Sequence, residues 1–414
     1  MRAGVFTRGL VAALGLGCVC ATAAFADEPL GVMDRPRPDY DPKGLPLGAF
    51  RLRPALDIGV TFDDNVLGSQ NGKKSDVYYT ISPSFSLKSD WSRHSLELAG
   101  SLTRYQYSKQ SSESRTDWDI GANARIDVLR GTMVETASSY AVSHEPRSAP
   151  DEPGGAKEPT EFSLAHSEIK FTHQPNRFGV SLGAKFDRFD FKPTPLVGGG
   201  EFNNDDRDRD QYGAFVRAAY EMRPGVAVFL RGSYDQARFD DRFDRNGFDR
   251  DSQGWRADAG LEFFPTHLVK GEIFAGYASK SFKKPFKDIN AFDYGAKLAW
   301  YATPLMTLHL TASRSFNPTT IMGASSTDDQ SFGASLDYEL MRNLIVQAGV
   351  NYLDSKFEGI SRDDKYLSAA FNAKWLINRY MNANVGYAYT DRNSSVPGQD
   401  FTDNAVMANV HFQL

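Results

Sequence analysis

The chain is short of the groups on which several functions depend. It has only two cysteines in 414 residues, Cys18 and Cys20, and both fall in the first 26 positions. Without that segment no thiol remains, which excludes disulfide frameworks, cysteine-rich zinc sites and thiol catalysis. Beyond residue 26 no apolar run reaches about 18 residues, so helical membrane spans are excluded. Charge of one sign is scarce too: 47 basic against 52 acidic side chains give −5, with no long basic stripe to attract nucleic acid. Aromatic residues, by contrast, make up 13% of the chain, which argues against disorder.

The first 26 residues have the three parts of a secretory signal. Arg2 and Arg8 supply positive charge, Leu10 to Ala24 an apolar stretch, and Ala24-Phe25-Ala26 a cleavage site. Neither cysteine has the large aliphatic residue three places upstream that lipidation needs, so cleavage before Asp27 is expected. The mature chain would then carry 414 − 26 = 388 residues and a charge of 45 − 52 = −7. Residues 27–50 hold five prolines and several glycines, which forbid a regular helix or central strand. They read as an extended leader, with a second domain covering 51–414.

From about Leu52 onward one rhythm persists. Leu56, Ile58, Val60 and Phe62 alternate with Asp57, Gly59 and Thr61; Tyr212, Ala214, Val216, Ala218 and Tyr220 alternate with Gly213, Phe215, Arg217 and Ala219. Period-2 alternation marks half-buried strands. Eight connections are short, as at Arg223-Pro224-Gly225, and nine are long and polar, centred near residues 70, 112, 153, 200, 245, 285, 323, 359 and 396. Nine hairpins joined by eight tight turns imply about 18 strands.

A soluble sandwich would also alternate. Here Tyr79, Trp118, Tyr140, Tyr212, Tyr220, Trp255, Trp300, Trp375, Tyr387 and Tyr389 cluster at the ends of apolar faces, as girdles do at lipid interfaces. Loop length is one-sided, the asymmetry of outer-membrane barrels. In hydrocarbon no water satisfies an edge strand, so such a sheet must close. The expected fold is therefore all-β: a closed transmembrane antiparallel barrel of about 18 strands, with short periplasmic turns and long extracellular loops. Lipid and lipopolysaccharide would surround it. The last strand ends on Phe412 and Leu414, similar to the C-terminal signal read by the barrel-assembly machinery, where the usual last residue is Phe.

The alternate residues would line the lumen: Arg125, Lys185, Arg217, Arg231, Arg256, Lys297 and Lys374, with Glu135, Asp258, Glu262, Asp337 and Glu339. Both signs are present, so rungs across neighbouring strands would neutralise one another. Such a wall suits a hydrated solute such as sugar. The loop with Asp244, Asn246, Gly247, Asp249 and Asp251 faintly resembles a calcium loop, but interleaved arginines oppose a cation and the terminal Glu is missing. No metal site, cofactor or catalytic residue is expected; His309 would face inward as a wall residue.

The opening of the barrel, Leu47-Gly48-Ala49-Phe50-Arg51-Leu52-Arg53-Pro54 followed by Phe62-Asp63-Asp64-Asn65-Val66, resembles the beta-barrel porin 2 family of Gram-negative outer membranes. The resemblance implies an outer-membrane conduit. It further implies export of exopolysaccharide beside a periplasmic polysaccharide-export protein, and it carries no catalytic residue. A general small-solute porin, and a non-conducting barrel that binds a partner through its loops, are the other readings.

Overall fold

A computed structural model describes residues 30–414, His267 excepted, with side chains of Pro265 and Thr266 also outside the description. The expected signal segment, its cleavage site and leader residues 27–29 therefore lie outside the described residues. Eighteen long strands follow one another in chain order: β1 (Phe50–Asp63), β2 (Asp76–Ser89), β3 (Ser95–Tyr107), β4 (Arg115–Leu129), β5 (Thr132–His144), β6 (Glu161–His173), β7 (Phe178–Phe191), β8 (Arg209–Arg223), β9 (Val226–Phe239), β10 (Ser252–Thr266), β11 (Val269–Phe282), β12 (Ile289–Thr303), β13 (Met306–Pro318), β14 (Ser326–Met341), β15 (Leu344–Phe357), β16 (Arg362–Asn378), β17 (Met381–Ser394) and β18 (Phe401–Gln413). Each pairs antiparallel with the next, and β18 returns to β1 from Ala55 opposite Gln413 to Asp63 opposite Ala405. The sheet is closed, so no edge is left unpaired.

The turns explain why the pattern is so regular. Two-residue links at Arg130-Gly131 and Pro224-Gly225 place their glycines at φ +72 and +75, a left-handed conformation that Gly adopts without strain. Register shifts fall just before such links, between Asp127 and Leu129 and between Glu221 and Arg223, where a bulge tightens the turn. Strands run from 13 residues in β3 to 17 in β16, longer than the about 9–11 needed to cross a bilayer. The excess carries them beyond the membrane toward the long loops. Short turns mark the periplasmic side, which also holds the leader and Leu414.

The outer face is apolar and exposed, because lipid rather than protein covers it. Ile58, Tyr212, Val216, Tyr220, Leu230, Phe292 and Trp375 all lie there. Buried hydrophobic residues form small clusters instead of one core, such as Val32, Ile345 and Leu376. Val216 sits midway between Tyr212 and Tyr220 on the outer face of β8 and is 49% exposed. Val216→Arg is expected to cost about 2–4 kcal/mol, the penalty for a cation at the bilayer midplane, while Val216→Phe is tolerated. Denaturant unfolding from lipid vesicles measures the difference.

Just before β1, Leu45–Leu47 forms a three-residue strand against Phe50–Leu52. It continues the ladder where β18 stops: Gly44 N–H donates to the Leu414 carbonyl at 3.1 Å. Part of the leader thus completes the seam of the barrel.

Candidate functional site: the inner wall and its two mouths

Inward-facing charges on β8 to β12 are brought together by register, and simple opposition gives only part of the pairing. Arg217 stands opposite Arg231, and Glu262 opposite Glu272. Like charges face to face are destabilising. Arg217 resolves this by reaching past its direct neighbour, whereas Arg231 also has Asp258 directly opposite it on β10. Arg217 meets Glu262 at 2.6 Å and Glu272 at 3.5 Å; Arg231 meets Asp258 at 3.0 Å and Glu272 at 3.3 Å. Arg256 adds Asp293 at 3.2 Å. Phe229 lies 4.2 Å beneath the Arg217 guanidinium, and Phe274 4.2 Å beneath that of Arg231, contacts that favour a cation over a ring.

Those rings lie flat because glycine faces them. Phe229 is opposite Gly260 and Phe215 opposite Gly183. A Cβ at Gly260 would stand 2.4 Å from the Phe229 ring, and one at Gly183 2.1 Å from Phe215. The rings therefore cover backbone instead of projecting inward.

The other expected wall residues are also on the inner face. Arg125 pairs with Asp127 at 3.0 Å, Glu135 with Lys170 at 3.7 Å, and Lys185 with Asp187 at 3.4 Å. Asp187 is fully buried and also meets His166 at 2.6 Å. Lys297 is exposed opposite Glu272, and Lys374 is half-buried opposite Ile345 and Asn384. On β13 to β18 the wall turns to amides. Asp337 accepts from Gln347 at 2.8 Å and lies 3.3 Å from His309; Asn372 donates to Gln347 at 3.4 Å.

Glu339 has a partner the sequence did not announce. Leader residue Arg37 reaches it at 3.0 Å and Arg35 at 3.5 Å. Val32 is fully buried against Ile345 and Leu376, and its N–H donates to the Thr307 hydroxyl at 3.1 Å. Arg379 and Gln413 donate to the carbonyls of Pro38 and Tyr40. The leader therefore runs as a strap along the inner periplasmic rim from β18 round to β13.

The extracellular mouth is crossed by the loop between β5 and β6, residues 145–160. Near its roots, Arg207 pairs with Glu145 at 2.5 Å, and Arg147 holds Glu113 at 2.6 Å and Glu152 at 3.3 Å. Its tip reaches much further. Asp151 Oδ1 accepts from the Thr319 hydroxyl at 2.9 Å and from Thr320 N–H at 3.1 Å. The Ser148 carbonyl accepts from Arg392 on β17 at 2.8 Å. The 319–325 loop lies eight strands round the ring from this loop in one direction and ten in the other, almost diametrically opposite.

The calcium-like loop is filled by its own arginine. Asp244 accepts from Arg250 Nε at 2.7 Å and from the N–H groups of Asn246 and Phe248 at 2.8 Å. Arg250 continues to the carbonyls of Thr319, Thr320, Ile321 and Ala324. Three other carboxylates, Asp63, Asp64 and Asp403, come within 4.8 Å of one another at the extracellular end of the β1–β18 seam. Asp403 escaped sequence reasoning because only closure brings it beside Asp63. Asn65, fully buried, donates to the carbonyls of Ser69 and Thr402 at 2.9 Å, and its N–H donates to Asp63 at 2.7 Å. Asp63 and Asn65 thus form an Asx-stabilised turn at the start of the first long loop.

A closed ring of 18 strands, apolar outside and polar within, matches one known family across almost the whole described chain: Putative beta-barrel porin 2, residues 37–414. The chain belongs to this family. The fold is that of an outer-membrane porin barrel. Among solved structures, OpdO of Pseudomonas aeruginosa is similar at 13% identity, covering 88% of this chain and 97% of that one, with a TM-score of 0.45. OccAB4 of Acinetobacter baumannii is likewise 13% identical, covering 88% and 98%, TM-score 0.45. The siderophore receptor PirA of Pseudomonas aeruginosa is 8% identical, covering 88% and 80%, TM-score 0.46. No curated protein matches the sequence.

Proposed function

We propose that this porin barrel carries hydrophilic molecules across the outer membrane, with a sugar polymer leaving the cell as its cargo. The observation that supports it best is the inner wall. Arg217, Arg231 and Arg256 are each neutralised by carboxylates within 3.5 Å, while Gln347 and Asn372 offer uncharged donors and acceptors. A wall that pairs charges of both signs gives little reason to select ions by sign. Amides and hydroxyls suit the hydroxyl groups of a glycan. A periplasmic polysaccharide-export protein would dock beneath the strap, and lipopolysaccharide would contact the extracellular rim. In this reading the wall residues position and pass cargo, and none performs chemistry.

The interlocked extracellular loops favour a second reading, a barrel closed to solutes that binds a partner through them. Planar-bilayer recording separates the two. A conduit gives unit current steps, with little preference between small cations and anions; a filled barrel gives none. Deleting the gene is expected to abolish secreted polysaccharide if export is the role, and to leave secretion unchanged if uptake is.

A further inference from the structure

The contacts of the 145–160 loop differ sharply between its two ends. At the roots they are charge-assisted: Arg207 grips Glu145 through two N–H groups, and Arg147 holds Glu113 through Nε and Nη2. Paired guanidinium–carboxylate bonds are the strong class of hydrogen bond. Arg147 also ties the closed loop to itself through Glu152 and the Ala156 carbonyl at 3.0 Å. At the far side a single oxygen, Asp151 Oδ1, takes three donors: Thr319 Oγ1, Thr320 N and Thr320 Oγ1. The carboxylate is charged but none of its three donors is, so no paired guanidinium–carboxylate bond forms here. Among the described residues the other distant tie runs from the Arg392 guanidinium to the neutral Ser148 carbonyl.

We propose that residues 145–160 are a lid hinged on the β3–β8 side, and that Asp151 with Thr319 and Thr320 is its latch. This rests on the conduit reading above. The lid stays anchored through Glu113 and Arg207 and lets go first on the far side, where no guanidinium meets a carboxylate, and the released tip carries Glu152 out into water. Release of Asp151 and of the Ser148 carbonyl frees the mouth over the β9 to β18 side, the sector that holds Arg231, Arg256 and the amide wall.

The mature chain lacks cysteine, so the latch can be locked without background. The test combines Asp151→Cys with Thr320→Cys, joins them with a short reducible cross-linker, and records single channels before and after reductant. Gel mobility with and without heating confirms that each variant is a folded barrel. Cross-linked protein is expected to lose at least tenfold of its conductance and regain it on reduction, and Asp151→Ala alone to raise open probability. Equal conductance in the cross-linked and reduced forms overturns the lid while leaving the conduit standing. Silence from wild type and from a barrel with 147–155 replaced by a Gly-Ser link overturns the conduit reading, and the lid with it.

Discussion

Between pH 5 and pH 8 the open probability of the barrel is expected to rise about fiftyfold, and Glu152→Gln should flatten the rise. Glu152 lies in the lid, with its side chain only 7% exposed. Burial, then repulsion from Glu145, pushes its carboxyl up to about 7; the Thr160 hydroxyl, Arg147 and Arg207 offset this only in part. An opened lid would return Glu152 to water and to its ordinary value of 4.5. The closed state therefore binds the proton more tightly than the open state. Its advantage is full below about pH 4.5, is lost as pH climbs toward 7, and stays lost above that. Asp151, Glu113 and Glu145 also carry charge in or beside this loop. Asp208, on the neighbouring 192–208 segment, is pushed by burial to about 6, and Asp208→Asn controls for its share. Bilayer recordings at stepped pH decide the matter: a rise that survives Glu152→Gln, or a flat wild-type profile, contradicts the assignment. Glutamine keeps the shape of the protonated acid, so that variant should behave at pH 8 as the parent does at pH 5.

Asp258→Ala is expected to destabilise the folded barrel by about 3–5 kcal/mol, the cost of leaving a buried charge without its partner. Asp258 is 4% exposed and takes Arg231 Nε at 3.1 Å and Nη2 at 3.0 Å on one oxygen. Once it is gone, Arg231 keeps only Glu272, at 3.3 Å, and Arg217 competes for the same carboxylate. Removing both charges as Asp258→Leu with Arg231→Met should cost far less, because no ion is then stranded. The Arg51–Asp90 pair is a contrast. Its side chains are 35% and 48% exposed, and solvent screening limits Asp90→Ala to about 0.5 kcal/mol. Urea midpoints of vesicle-inserted protein measure all three. Equal shifts for Asp258→Ala and Asp90→Ala would show that the inner-wall network is solvated and carries no structural weight.

The two sites differ in how far the sequence announced them. Arg217, Arg231, Asp258 and Glu262 were legible as inward-facing because β8, β9 and β10 alternate cleanly. That Arg217 passes Arg231 to meet Glu262 was not legible. That depends on the stagger of neighbouring strands, and direct opposition would have set Arg217 against Arg231. The lid was visible only as a polar stretch near residue 153, since its anchor at Thr319 and Thr320 lies some 168 residues away. The calcium-like spacing at Asp244 to Asp251 was a weak signal, and Arg250 fills it because the loop folds back to place guanidinium where a cation would sit. The prolines of the leader excluded a helix, but nothing in them pointed to Glu339.

By itself the sequence determined the wall: an apolar face for lipid, a polar face within, tight turns on one side and long loops on the other. Those follow from the two-residue repeat of an extended chain and from the need to satisfy every backbone group in hydrocarbon, both of which act locally. The tertiary structure alone decided the pairing of charges across strands, the strap at one mouth and the bridge over the other. These require closure, which sets β18 beside β1 and brings loops from opposite sides of the ring into contact across a gap that no local pattern encodes.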